Sequence, residues 1–98
     1  MKPPVITQHG HVEVREYVYE SGLREISFFI KEYVVGAGPV LAAVASRQPG
    51  VRGMKWCIYG GQQSSVRSRH VTKKAAIAAG VLLAEAYETR NAHLRRAS

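Results

Sequence analysis

Apolar and polar residues alternate along several stretches of this chain, and its last third carries apolar residues at helical spacing. From His11 to Glu20, Val12, Val14 and Val18 fall on one side and Glu13, Arg15, Tyr17 and Tyr19 on the other, the period of a half-buried strand. Glu20-Ser21-Gly22-Leu23 has turn chemistry. Alternation then resumes from Glu25 to Val34, with Ile26, Phe28 and Ile30 opposed to Ser27, Phe29, Lys31 and Tyr33. The two runs predict an antiparallel hairpin. Its second face holds Tyr17, Tyr19, Phe29 and Tyr33, so that face is either buried too or a contact surface.

Gly36-Ala37-Gly38 breaks the second strand. Pro39 suits the first position of a short helix reaching Arg47, with Val40, Leu41 and Val44 as its buried stripe and Gln48-Pro49-Gly50 as its stop; a loop is the alternative for so short a segment. Met54 to Gly60 alternates again, with Met54, Trp56 and Ile58 against Lys55, Cys57 and Tyr59. Gln63 to Val71 sets Val66 against Arg67 and Arg69. Gly60-Gly61-Gln62 fits a three-residue hairpin loop. Placing Tyr59 opposite Gln63 faces Trp56 to Val66 inside and Lys55 to Arg67 outside. Like charges directly across a strand pair cost from some tenths to roughly 1 kcal/mol, a repulsion that an anionic ligand would relieve.

Thr72 is a good N-cap, and from Lys73 the chain runs without proline to about His93. Ile77, Gly80, Val81, Leu83, Ala84 and Tyr87 share the broad face that should pack on the sheet. Ala75, Ala79, Leu82 and Ala86 form a second stripe that a dimer partner would bury. The expected fold is α+β: an antiparallel β-sheet in ββ-short α-ββ-α order with a long C-terminal helix packed on one face. Residues 1–10, with two prolines and a glycine, read as an arm, 11–94 as the domain and 95–98 as a basic tail.

Composition narrows what this fold does. With 98 residues there is room for one core, and 46% hydrophobic against 21% charged residues is the balance of a folded domain. A single cysteine, Cys57, excludes an internal disulfide and zinc sites built on paired thiolates. Met1-Lys2-Pro3-Pro4 leads into polar residues with neither a signal-peptide pattern nor a membrane span, so an intracellular, cytoplasmic protein with no membrane partner is expected. The formal charge of +7 is asymmetric. Residues 1–50 carry equal numbers of acids and bases. Residues 51–98 carry Arg52, Lys55, Arg67, Arg69, Lys73, Lys74, Arg90, Arg95 and Arg96 against Glu85 and Glu88. Such a field attracts phosphate polymers or acidic partners.

The candidate nucleic-acid surface therefore combines Arg52, Lys55, Arg67 and Arg69 around the strand face with Lys73 and Lys74 in the first helical turn. Arginines on a two-stranded ribbon can read guanine edges in a major groove, while lysines at a helix start can meet phosphates. Cations there oppose the helix dipole at roughly 0.3–1 kcal/mol each, a penalty that a bound phosphate reverses; tolerance of solvated lysines is the competing account. His9-Gly10-His11 lacks a third metal ligand at suitable spacing, His70 could add pH-dependent charge beside the arginines, and Ser64, Ser65 and Ser68 have no evident base. No catalytic constellation and no cofactor are expected.

Gly50-Val51-Arg52, Lys55-Trp56-Cys57-Ile58-Tyr59, Thr72 and the Ala-rich helix with Ala84-Glu85-Ala86-Tyr87 resemble, over residues 50–90, the three-stranded DNA-binding domain of plant ethylene-response factors and phage integrases. The resemblance implies a sheet laid in the major groove, with Arg52, Trp56, Arg67 and Arg69 in contact with DNA. Thr72-Lys73-Lys74-Ala75-Ala76 through Leu83-Ala84 is similar to the last helix of double-stranded-RNA-binding domains, whose opening lysines grip phosphates. That family has a lysine where this chain has Ile77 and a helix where it has a hairpin. The expected function is a small nucleic-acid-binding protein, DNA ahead of RNA. The alternative is a phage or mobile-element interaction module or inhibitor acting on an acidic protein or a ribonucleoprotein; a homodimer is compatible with either.

Overall fold

The computed structural model describes residues 3–30, 39–47, 56–60 and 66–90. Six strands, β1 (Val5–His9), β2 (Val12–Val18), β3 (Arg24–Ile30), β4 (Val40–Arg47), β5 (Trp56–Gly60) and β6 (Val66–His70), precede one helix, α1 (Lys73–Arg90). The strands form a single sheet in chain order, each antiparallel to the next. The helix crosses one face, lying mostly over β4 and its neighbours β3 and β5.

Alternation sorted most of the inner face, with two exceptions: Val18 is 51% exposed, and Val66 pairs with Tyr59 on the face away from the helix. Val12, Val14, Ile26, Phe28 and Ile30 point at the helix and are buried, joined by Ala43, Ala45, Trp56 and Ile58 and covered by Ala76 and Ala84. Glu16 also lies on this face by register, and it is satisfied by an ion pair with Lys73 at 3.0 Å. The helix approaches through its smallest residues. Ala76, Gly80 and Ala84 make its buried line, while Ile77, Val81, Leu83 and Tyr87 pack along the flanks. Ala79, expected on the outer stripe, packs partly on the core as well, whereas Ala75, Leu82 and Ala86 are exposed.

Three expectations are corrected. Val40–Arg47, expected as a short helix, is a strand in the middle of the sheet. Its pairing with β3 skips Ala42, so that Phe28 faces Ala43 and Phe29 faces Leu41. This bulge interrupts the two-residue period and leaves an apolar spacing that imitates a helical stripe. Residues expected as an arm contain the edge strand β1, all of whose residues are exposed. His9-Gly10-His11 joins it to β2: Gly10 has φ of 63° and takes the positive-φ position of a tight two-residue turn between the paired His9 and Val12. The third correction concerns register. Trp56 faces His70 and Ile58 faces Ser68, four residues beyond the expected pairing, so Trp56 does not meet Val66; the expected Lys55–Arg67 opposition involves Lys55, which lies outside the described residues. The expected loop at Gly60-Gly61-Gln62 extends outside the described residues.

Thr72 caps α1 as expected. Its hydroxyl accepts a hydrogen bond from the Ala75 amide at 3.1 Å, and its carbonyl accepts from the Ala76 amide at 3.0 Å. Thr72→Ala should lower stability by about 1 kcal/mol, measured by urea denaturation, with the slope of the transition unchanged.

Candidate nucleic-acid interface

The meander and the helix bring several cations to one end of the sheet. Arg24 is the first residue of β3, directly after the turn in which the Gly22 amide donates to the Tyr19 carbonyl. Arg47 is the last residue of β4 and the direct cross-strand partner of Arg24. Both are exposed and neither has an ion-pair partner among the described residues. β5 starts and β6 ends at this same end, where Trp56 pairs with His70. Three residues further on α1 begins, with Lys73 and Lys74 in its first turn.

The expected site residues are thus distributed as follows. Arg69 pairs with Cys57, one step in from this end, on the face away from the helix, and is exposed. Arg67 is the skipped residue of the bulge in β6, between the partners of Ile58 and Tyr59, also exposed. Lys73 and Lys74 lie on the helix side, so lysines and arginines straddle the end of the sheet and do not share one flat face. Lys73 is engaged by Glu16, with side chains 53% and 22% exposed. That pair explains how a cation is tolerated against the helix dipole, and at this exposure it is weak enough for a phosphate to displace. Lys74 is exposed and has no ion-pair partner among the described residues. Arg52 and Lys55 lie outside the described residues; the segment that carries them links Arg47 to Trp56.

Carboxylates near the cationic end are occupied. Glu25, half-buried, accepts from the Tyr19 hydroxyl at 3.4 Å, and desolvation, followed by the Glu25 charge, raises the Tyr19 phenol above its ordinary range. The phenol therefore stays protonated as a donor at neutral pH. Ser68 Oγ lies 2.9 Å from His70 Nε2.

The uncovered face of the sheet has a different character. The Arg15 guanidinium sits 4.5 Å above the Phe29 ring and is held by Glu13 at 2.6 Å, a hydrogen bond that raises its pKa further. Tyr17 and Tyr19 stack with centroids 6.4 Å apart. Arg15 is therefore neutralised locally, and this half of the face is aromatic rather than cationic.

Trp56 is placed in the core, 1% exposed, which removes it from the contact role that the resemblance implied. Arg24 and Arg47 were missed. Their signal was present in the sequence as two arginines at element ends, but reading Val40–Arg47 as a helix hid that they stand opposite each other. Among the described residues no group of three potential metal ligands comes together, and no helix is long and apolar enough to cross a membrane. Comparison with protein-family models, curated proteins and solved structures finds no match to this chain.

Proposed function

We propose that this chain binds nucleic acid without catalysing a reaction on it, gripping phosphates with the cationic end of its sheet. The observation that carries this reading is the Arg24–Arg47 pair: two exposed arginines directly opposed across neighbouring strands with no acid between them. Such a pair repels itself, at a cost from some tenths to roughly 1 kcal/mol. A phosphate bridging the two guanidiniums turns that repulsion into charge-assisted hydrogen bonding. Arg69, Lys74 and the capped N-terminus of α1 extend the positive surface beyond this pair. Duplex DNA is favoured over duplex RNA because arginines presented from strands can enter a wide major groove, whereas the A-form major groove is too narrow to admit them.

Binding to labelled duplex DNA, duplex RNA and single strands over a range of salt tests the reading. The wild type should bind with a steep inverse salt dependence. Arg24→Ala/Arg47→Ala and Arg67→Ala/Arg69→Ala should each weaken binding about tenfold or more and lower the salt slope by roughly 2. Arg24→Glu provides a control for folding, since it places opposite charges across the pair: its stability should be equal or higher while its affinity falls. Affinity and slope unchanged in both double variants would overturn the proposal.

One observation favours a second reading. Tyr17, Phe29, Leu41, Val44 and Tyr59 are half-buried on the face that the helix leaves uncovered. An acidic protein or a ribonucleoprotein could cover that surface, and a stable complex with such a partner alongside silence toward both duplexes and the single strands would replace the first reading with this one.

A further inference from the structure

The two edges of the sheet are unlike. β6 carries exposed Arg67 and Arg69 and is bulged opposite Ile58 and Tyr59, two devices that discourage another strand from pairing with it. β1 has neither. Its sequence, Val5-Ile6-Thr7-Gln8-His9, contains no lysine, arginine, acid or proline, and its register with β2 runs unbroken from Val5–Glu16 to His9–Val12. Val5 is 61% and Ile6 55% exposed, on opposite faces of the strand, so solvent meets an uncharged apolar edge from both sides.

A groove lies between β1 and the helix. Thr7 and His9 line it on the strand side and Ile77, Ala78, Val81 and Leu82 on the helix side, with Leu82 68% exposed, and the Glu16–Lys73 ion pair and Lys74 close its end. A strand added outside β1 would continue the floor of this groove, cover Val5 and Ile6, and narrow the opening over Leu82.

We propose that the added strand is β1 of a second copy of this chain, running antiparallel, so that two sheets join edge to edge about a two-fold axis. Charge selects this occupant. Residues 1–50, which supply the joining edge, sum to zero charge, while the excess of seven positive charges resides in residues 51–98, which supply the opposite edge and, beside β1, Lys73, held by Glu16, and Lys74. Two copies can therefore join at β1 while keeping their cationic edges far apart, and an acidic partner would be drawn to the other edge. The contact is isologous, as closed dimers require, and it leaves both helices on one face of the joined sheet. Pro3 and Pro4 immediately precede β1 and limit the pairing to about its own length. Affinity should accordingly be modest, with Kd in the range of roughly 1–100 µM. This inference is separable from the nucleic-acid reading, because neither Arg24 nor Arg47 takes part and Lys73 and Lys74 border only the helix side of the groove, outside the strand pairing itself.

Sedimentation of the full chain across about 5–200 µM tests it. The wild type should pass from monomer to dimer over this range, and the amides of Val5–His9 should exchange with solvent more slowly at the high concentration than at the low one. Ile6→Lys and Ile6→Glu, at an exposed position, should keep the circular dichroism of the wild type. Each alone should weaken dimerisation about tenfold or more, and an equimolar mixture should recover it. A wild type that stays monomeric at about 200 µM, a dimer indifferent to both variants, or a mixture that fails to recover would each overturn the proposal.

Discussion

Gly80→Ala should destabilise the protein by about 3 kcal/mol, although alanine is the better helix former by roughly 1 kcal/mol. Gly80 lies in the middle of α1 and is buried against the ring of Phe28, which is itself fully enclosed. A methyl group built at this position falls inside the van der Waals envelope of three ring carbons. The ring cannot swing clear, because Val12, Val14, Ile26, Ile30 and Ala43 crowd the same core. The helix must therefore lift away from β3 and β4, opening gaps along the Ala76–Ala84 line. In a domain of this size the loss corresponds to a fall in melting temperature of about 10–20 °C. A second substitution separates overpacking from any other cause: Phe28→Leu, damaging alone, should be much less so in the Gly80→Ala background, with a favourable coupling of about 1–2 kcal/mol. A Gly80→Ala variant as stable as the wild type would mean that the helix does not approach the sheet this closely.

Placing Gly80 on the packing face of the last helix required only spacing, as did assigning Val12, Val14, Ile26, Phe28 and Ile30 to the inside of the hairpin. These positions were legible because each lies in an element long enough to show its own period, with turn residues at both ends. The close approach at Gly80 was not legible. It depends on Phe28 and Ala43 lying side by side beneath the helix, a consequence of long-range pairing. Val40–Arg47 shows the limit more sharply. Its Leu and Ala content favours a helix and its bulge at Ala42 removes the strand period, so the local signals agreed on the wrong element. The slot between β3 and β5 overrode them, since small side chains at Ala43 and Ala45 are what lets α1 lie close over the middle of the sheet.

The site followed the same division. The sequence located the basic half of the chain, the N-cap at Thr72 and the exposure of Arg67 and Arg69, all of which are local properties. Register is not local. The pairing of β5 with β6 is shifted by four residues at Trp56 and Ile58 and by three at Tyr59, beyond the bulge, so Val66 pairs with Tyr59 on the uncovered face and not with Trp56 inside, while an opposition of like charges stands elsewhere, at Arg24 and Arg47. The edge strand β1 escaped notice because five exposed residues have no inside to alternate with. Its hydrophobic side chains become informative only when the other edge is seen to be charged and bulged.

Trp56 is where sequence resemblance and structure diverge, and it yields the second large effect. Trp56→Ala should cost about 3–5 kcal/mol, because the indole is enclosed in the core cluster and its removal leaves a cavity between β5 and the helix. Trp56→Phe should be far milder, within about 1 kcal/mol of the wild type. The buried indole Nε1 has no hydrogen-bond partner among the described residues. An unsatisfied buried donor costs roughly 1–3 kcal/mol, so the phenyl ring loses packing area but also removes that penalty. The two variants together exclude a contact role. If Trp56 touched DNA, Trp56→Phe would weaken binding and leave stability alone; buried as it is, Trp56→Phe should bind DNA like the wild type. Because it is the single tryptophan of the chain, its fluorescence reports on this one position. Emission should be that of an apolar environment and should not be quenched when nucleic acid is added to the folded protein. Quenching that tracks binding would show an indole at the interface and would move the contact surface from the cationic end of the sheet to the strand face itself.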